Sequence, residues 1–298
     1  MQYINLTKVH SFSYLNNLFK LMKPRVMSLV IFTCVVGLLI APVQVDIITA
    51  ALSLIAVAVG AGAAGALNMW YESDLDALMK RTCLRPIPTG KISRNQALTF
   101  GLITSFTSVI ALYFFSNFLS ALMLAITIIF YVVIYTIWLK QRTPQNIVIG
   151  GAAGAFPPII GWTIATGSFA LEPIILFLII FFWTPSHFWA LSIYKTEDYN
   201  NAKIPMLPVV SGIKTTKINI FIYAIILLAV TIIPYFFGYF GVIYFGASLI
   251  LGIYYVFLCY KLLVDTNENK QIAKKIFVYS ILYLFLIFMI ILIDNIVV

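Results

Sequence analysis

The sequence predicts an all-α integral membrane protein of nine transmembrane helices. Hydrophobic residues make up 62% of the 298 and charged residues only 10%, and the apolar residues fall in nine runs of about 20, the length that crosses a bilayer as a helix. All basic residues then fall on one side of the nine-span arrangement. Continuous Ile, Leu, Phe and Val runs of this length are helices, because a spanning strand is about half as long and alternates in polarity.

The runs lie near Val26 to Pro42, Ile47 to Trp70, Ala97 to Ser116, Phe118 to Trp138, Asn146 to Ala165, Leu171 to Ile193, Ile218 to Gly238, Phe240 to Tyr260 and Ile276 to Val297. Lys8, Lys20, Lys23 and Arg25 precede the first. Lys80, Arg81, Arg85, Lys91 and Arg94 follow the second, and Lys140 and Arg142 the fourth. Lys195, Lys203, Lys214 and Lys217 follow the sixth, and Lys261, Lys270, Lys274 and Lys275 the eighth. The opposite side carries only Asp46, Glu172 and Asp294, so the N-terminus and the even-numbered connections are expected in the cytosol. Adding or dropping one span would scramble this separation.

The net charge of +9 does not point to nucleic acid, since the basic residues occupy short gaps between apolar runs and form no folded basic face. Cys34, Cys83 and Cys259 form no CxxC pair, so neither a disulfide framework nor a zinc site is indicated. Residues 1–22 lack an apolar signal core and a cleavage motif, so no removable signal peptide is expected. The absence of an Arg-rich presequence favours a bacterial inner membrane over an organellar one.

The whole chain, 1–298, reads as one membrane domain with a cytosolic segment over 1–25 and two long cytosolic loops, 71–96 and 194–217. Each loop opens with acids, continues through basic residues and prolines, and reaches a glycine before the next span: Glu72, Asp74, Asp76, Arg85, Pro86, Pro88, Gly90, then Glu197, Asp198, Lys203, Pro205, Pro208, Gly212. The loops lie four spans apart, which suggests a duplicated bundle with one span between the halves. The span between, with Gly150, Gly151, Gly154, Pro157, Pro158 and Gly161, is expected to be kinked and closely packed, a matter of architecture.

If the second span continues as helix, Asn68, Glu72 and Asp76 recur at every fourth position and share one face. Three hard oxygen donors in one place suit magnesium, which binds through one or two carboxylates, waters and substrate phosphates. Arg81 and Arg85, again four apart, would neutralise a diphosphate carried by that metal. Charge pattern alone also allows a solvated loop, but Asn68 stands at the membrane end of a span, where an amide needs a polar partner. In the second loop, His187 precedes Asp198 by eleven residues, about 16 Å and nearly the same face on a continuous helix, so a pocket between them is expected. The imidazole reads either as a hydrogen-bonded core group or as a ligand contact. Trp183, Phe188 and Trp189 read as packing or as the wall of a flat ligand.

These residues resemble the intramembrane prenyltransferases of the UbiA superfamily. The first signature, Asn-x-x-x-Asp-x-x-x-Asp after the second span, stands here as Asn68, Glu72 and Asp76. The segments Asn68 to Pro86, Pro185-Ser-His-Phe-Trp-Ala-Leu and Asp198-Tyr-Asn-Asn-Ala-Lys-Ile-Pro-Met-Leu-Pro resemble the heme-using branch, and the likeness covers nearly the whole chain. The sequence departs from the wider superfamily at Tyr194, where an Asp is common, which thins the second metal site. The resemblance implies a UbiA-type bundle with two cytosolic catalytic loops, and transfer of the farnesyl group of farnesyl diphosphate to a vinyl group of heme b, which is a substrate, with Mg2+ as cofactor. It assigns Asn68, Glu72 and Asp76 to magnesium-diphosphate, with Asp198 as a further metal ligand and Arg81, Arg85 and Lys195 on phosphate oxygens. Lys80 and Lys203 fall on the substrate side. Glu197 and Asp198 go to a second metal or to orienting Lys203, and His187 with Trp183 to heme. Partners implied are the bilayer itself and heme A synthase or terminal oxidase assembly factors. The alternatives are another prenyltransferase of this superfamily with a quinone-precursor or chlorin acceptor, and a secondary transporter. The first has no evident need for His187, and the second would place acids near the midplane, where none falls.

Overall fold

The computed structural model describes residues 13–266 and 270–297; Lys8 lies outside them. Helices α1 (Ser13–Leu21) and α2 (Pro24–Leu39) form a pair bent by 54°. There follow α3 (Ile47–Tyr71), α4 (Ser73–Leu78), α5 (Arg94–Phe115), α6 (Phe118–Ile129), a π-helix (Phe130–Leu139), α7 (Asn146–Ala155), α8 (Pro157–Thr166), α9 (Leu171–Tyr194), α10 (Thr196–Asn201), α11 (Leu207–Val210), α12 (Gly212–Phe236), α13 (Val242–Val264) and α14 (Lys270–Val297). Eight helices among the described residues are long and apolar enough to span, and the bent pair makes a ninth. The expected count of nine agrees with this.

Polar residues set several of the helix starts. Asp46 Oδ1 accepts from the amides of Ile48 and Thr49, both at 3.0 Å, and caps α3; these bonds hold its carboxyl below the usual range, the contact with Thr49 contributing most. Asn117 Oδ1 caps α6 through Ser120 N at 2.9 Å, while its Nδ2 donates to Thr163 O at 2.7 Å and so ties the α5–α6 corner to α8. Ser93 and Gln96 open α5 with a reciprocal capping box.

The span Asn146–Thr166 is broken at Phe156, because neither Pro157 nor Pro158 can supply an N–H to the ladder. Its glycines permit backbone contact: a Cβ on Gly161 would overlap the carbonyl oxygen of Cys34, and one on Gly37 would overlap that of Pro158. Helices α2 and α8 therefore pack backbone to backbone. This span and α9 are the most enclosed, with 72% and 67% of their central windows buried, against 17% for α5 at the periphery.

Of three apolar clusters among the described residues, a small one joins Leu21, Ala66, Met69, Ile87, Ile92 and Ala97, and the two large ones divide much as the expected duplication would. One cluster draws on α2, α3, α5, α6 and α8 through residues such as Cys34, Val57, Leu67, Leu112, Leu124 and Ile160. The other draws chiefly on α7, α9, α12, α13 and α14 through Ile147, Leu176, Leu227, Tyr255 and Ile287. The broken span belongs to both. In each half a span ends in a break and a six-residue helix, α3 with α4 and α9 with α10, and a glycine with positive φ precedes a later span, Gly90 at 70° and Gly212 at 80°. Cys34 and Cys259 are buried and no cysteine is paired.

Candidate active site

Helix α3 stops at Tyr71, yet the helical register carries across the break: Glu72 N donates to Asn68 O at 3.0 Å and Asp76 N to Glu72 O at 2.8 Å. Asn68, Glu72 and Asp76 accordingly share one side, only 2–3% exposed, whereas Asp74, two residues out of step, faces solvent and pairs with Arg94 at 3.0 Å.

Each of the three meets a cation. Asn68 Oδ1 accepts from Lys23 Nζ at 2.5 Å, and its Nδ2 donates to Thr136 Oγ1 at 3.0 Å. Glu72 Oε2 accepts from Lys140 Nζ at 2.6 Å. Asp76 takes Arg85 Nη1 on both oxygens at 2.8 and 2.7 Å, the loop being folded back by Thr82 Oγ1, which donates to Asp76 O at 2.9 Å. Breaking such a pair inside a low-dielectric wall leaves an uncompensated charge, which costs about 3–5 kcal/mol.

Two of these cations, Lys23 and Lys140, were not singled out from sequence, and backbone geometry is the reason. Lys23 has φ 53° and ψ 54° just before Pro24, a left-handed conformation that costs a non-glycine residue about 1–2 kcal/mol and turns α1 away from α2. Lys140 and Thr136 are delivered by the π-helix, in which Lys140 N donates to Tyr135 O and Thr136 Oγ1 to Tyr131 O, each five residues back. The readable signals were the Lys-Pro pair and a threonine and lysine four apart at a span end.

The donor set fits a magnesium ion. Among the described residues no three His, Cys, Asp or Glu side chains converge on a point; the set is two carboxylates and an amide oxygen, which suits an ion that shares its shell with phosphate and water. Glu72 Oε1 supports the fit: it is buried and 2.5 Å from Lys140 Nζ, but outside hydrogen-bond geometry.

The second loop departs from expectation. Helix α9 ends at Tyr194 and Lys195 (φ −117°, ψ 29°) separates it from α10, with Lys195 N donating to Leu191 O at 2.9 Å and Tyr199 N to Lys195 O at 3.4 Å across the break; His187 is engaged by Ser280 of α14. Asp198 is buried, and its carboxylate has no cation among the described residues. Glu197, expected to orient Lys203 or join a second metal, instead pairs with Lys270 at 2.8 Å on the surface. That hydrogen bond, aided by Lys270, Lys80 and Lys195 charge, holds its carboxyl below the usual range. Lys195 Nζ lies 4.7 Å from the Tyr194 ring centre; Lys80, Arg81 and Lys203 are exposed. A cavity of about 350 Å³ lined by Leu75, Leu78, Gln141, Asn201, Ala202 and Lys203 separates α4 from α10, so the two loops face each other.

His187 and Trp183 turn toward α14. His187 Nδ1 is 2.6 Å from Ser280 Oγ, its ring stacks between Trp183 and Phe277 at 4.2 and 4.7 Å, and Trp183 Nε1 donates to Ser280 O at 2.7 Å. Ser186 Oγ meets Tyr255 OH at 2.8 Å beside them.

The helical bundle buries an amide and two carboxylates at the end of its second span, and the family whose model matches residues 30–281 is one of prenyltransferases, the UbiA prenyltransferase family. The chain belongs to that family. Within it, the chain is 63% identical to a protoheme IX farnesyltransferase of Pelagibacter ubique over 98% of this chain and 97% of that one. It is 56% identical to the enzyme of that name from Bartonella bacilliformis, over 92% and 89%. Solved structures at 18% identity share the fold: a digeranylgeranylglyceryl phosphate synthase (TM-score 0.79, covering 96% of this chain and 99% of that one), and a UbiA homolog from Archaeoglobus fulgidus bound to GPP and Mg2+ (TM-score 0.64, 92% and 99%).

Proposed function

We propose that the protein transfers the farnesyl group of farnesyl diphosphate to a vinyl group of heme b, with addition of water, releasing heme O and diphosphate. The observation that carries the chemistry is the shared buried side of Asn68, Glu72 and Asp76, faced by Lys23, Lys140 and Arg85; the acceptor rests on the relatives named above.

In this reading Asn68, Glu72, Asp76 and, from the second loop, Asp198 hold the metal. Magnesium, when bound, supplies positive charge against the diphosphate. Arg85, with Lys140 and Lys23, stabilises the charge that grows on the leaving oxygens as the allylic C–O bond breaks and its electron pair departs with diphosphate. Arg81, Lys80 and Lys195 draw the anion to the cytosolic mouth, and Lys203 borders the cavity between the loops. The vinyl π pair forms the new C–C bond, and water captures the cation left on the porphyrin side, losing a proton to solvent. The apolar bundle solvates the farnesyl chain and keeps water from the first cation. His187, held by Ser280 and flanked by Trp183, contacts the heme.

The positive-inside pattern supports an active site on the cytosolic side of a bacterial inner membrane, from which product passes to heme A synthase or oxidase assembly factors. The test is to incubate purified protein in lipid with heme b, farnesyl diphosphate and magnesium, and to follow heme products by mass spectrometry with and without chelator. Chelator-sensitive hydroxyethylfarnesyl heme is expected. Consumed farnesyl diphosphate beside intact heme would move the acceptor.

A further inference from the structure

The three first-loop ligands are each matched by one partly buried cation, and the matches differ in kind. Arg85 holds both oxygens of Asp76. Lys23 and Lys140 each reach a single side chain with a flexible ammonium, and they come from elements far apart in the chain, the α1–α2 bend and the end of the π-helix.

An ion pair and a metal bond compete for these oxygens. Magnesium binds oxygen at about 2.1 Å. With Lys23 Nζ at 2.5 Å from Asn68 Oδ1, a metal on that oxygen would stand within about 4.6 Å of the ammonium, close enough for strong repulsion in a weakly screened site. Within the first-loop set, two carboxylates facing three cations leave one positive charge. A magnesium ion alone would make it larger, a diphosphate alone would reverse it, and one of each brings it close to zero.

We propose that Lys23 and Lys140 are exchange cations. They occupy Asn68 and Glu72 against metal alone and pass to phosphate oxygens when metal and diphosphate arrive together, so that neither binds tightly without the other. The proposal rests on the magnesium-diphosphate reading and adds to it the dependence of one ligand on the other.

The test is manganese binding to the full chain in lipid nanodiscs, read by electron paramagnetic resonance with and without inorganic diphosphate, counting the soluble manganese-diphosphate complex separately. Diphosphate is expected to tighten metal binding by about tenfold or more. Lys140→Met and Lys23→Met are expected to tighten binding of metal alone by a similar factor and to shrink the diphosphate effect, whereas Lys140→Arg retains it. An undiminished diphosphate effect in both Met variants, with native elution and helicity, overturns the exchange, as does metal binding indifferent to diphosphate in the parent protein. Absence of metal binding under every condition, together with absent turnover, overturns the magnesium-diphosphate reading itself.

Discussion

Glu72 Oε2 and Lys140 Nζ are 2.6 Å apart across 68 residues of chain, and one turn earlier Asn68 and Thr136 meet at 3.0 Å across the same 68. Two segments that keep register over a turn must run the same way and present matching periodicity. On the second of them, that periodicity depends on the wide turns of the π-helix.

Removing one residue from the π-helix should therefore undo the match without removing the span. Deleting Val133, which faces outward, removes a residue from the wide turns and shifts Thr136 and Lys140 out of register with Asn68 and Glu72. The protein is expected to insert and elute normally, while diphosphate no longer enhances metal binding.

Glu72→Gln and Asp76→Asn remove charge from the proposed ligands while keeping shape. Each is expected to lower kcat by about 10²–10³-fold, the loss usual for a transition-state electrostatic contact, as measured by heme O formation in well-inserted protein. Unchanged turnover in either would remove that residue from the site.

Arg85→Met strands the buried Asp76 carboxylate. A stability loss of about 3 kcal/mol is expected, visible as earlier unfolding in detergent, and the double variant with Asp76→Asn should recover much of it because no buried charge is then left alone.

Ser280→Ala takes away the hydroxyl that fixes His187 Nδ1. Weaker heme b binding is expected, by about five- to tenfold, the worth of a hydrogen bond to a buried ring, with KM for farnesyl diphosphate unmoved. Equal effects on both substrates would mean a packing defect.

Gly161→Val forces two branches into the Cys34 carbonyl. Overpacking of this kind costs about 1–3 kcal/mol or more, so a lower unfolding temperature and reduced insertion are expected, whereas Gly154→Ala, where a Cβ meets nothing within 4 Å, should be silent.

The spans were legible because lipid demands long apolar helices and the basic residues sort by side, two constraints that act on sequence directly. The every-fourth spacing of Asn68, Glu72 and Asp76 survived for a similar reason: a helix break at Glu72 left its backbone bonds in register. The break at Lys195 in the second loop keeps the same kind of backbone bonds, Lys195 N to Leu191 O and Tyr199 N to Lys195 O, but His187 is held by Ser280 across 93 residues, a contact that nothing local announces. Lys23 and Lys140 were read only as topological charges, since their contribution depends on a left-handed residue and a π-helix, neither of which has a periodic signature. Glu197 found Lys270, from the other end of the second half, in place of the neighbour its spacing suggested.

The break at Phe156 has a mechanical consequence. Above it α7 is anchored in one core through Ile147, and below it α8 is anchored in the other through Ile160. Proline supplies no amide proton at 157 or 158, so bending there sacrifices no ladder bond that an unbroken helix would have to give up. The two halves are thus stitched together inside the bundle by one helix whose ladder is interrupted where it passes from one core to the other.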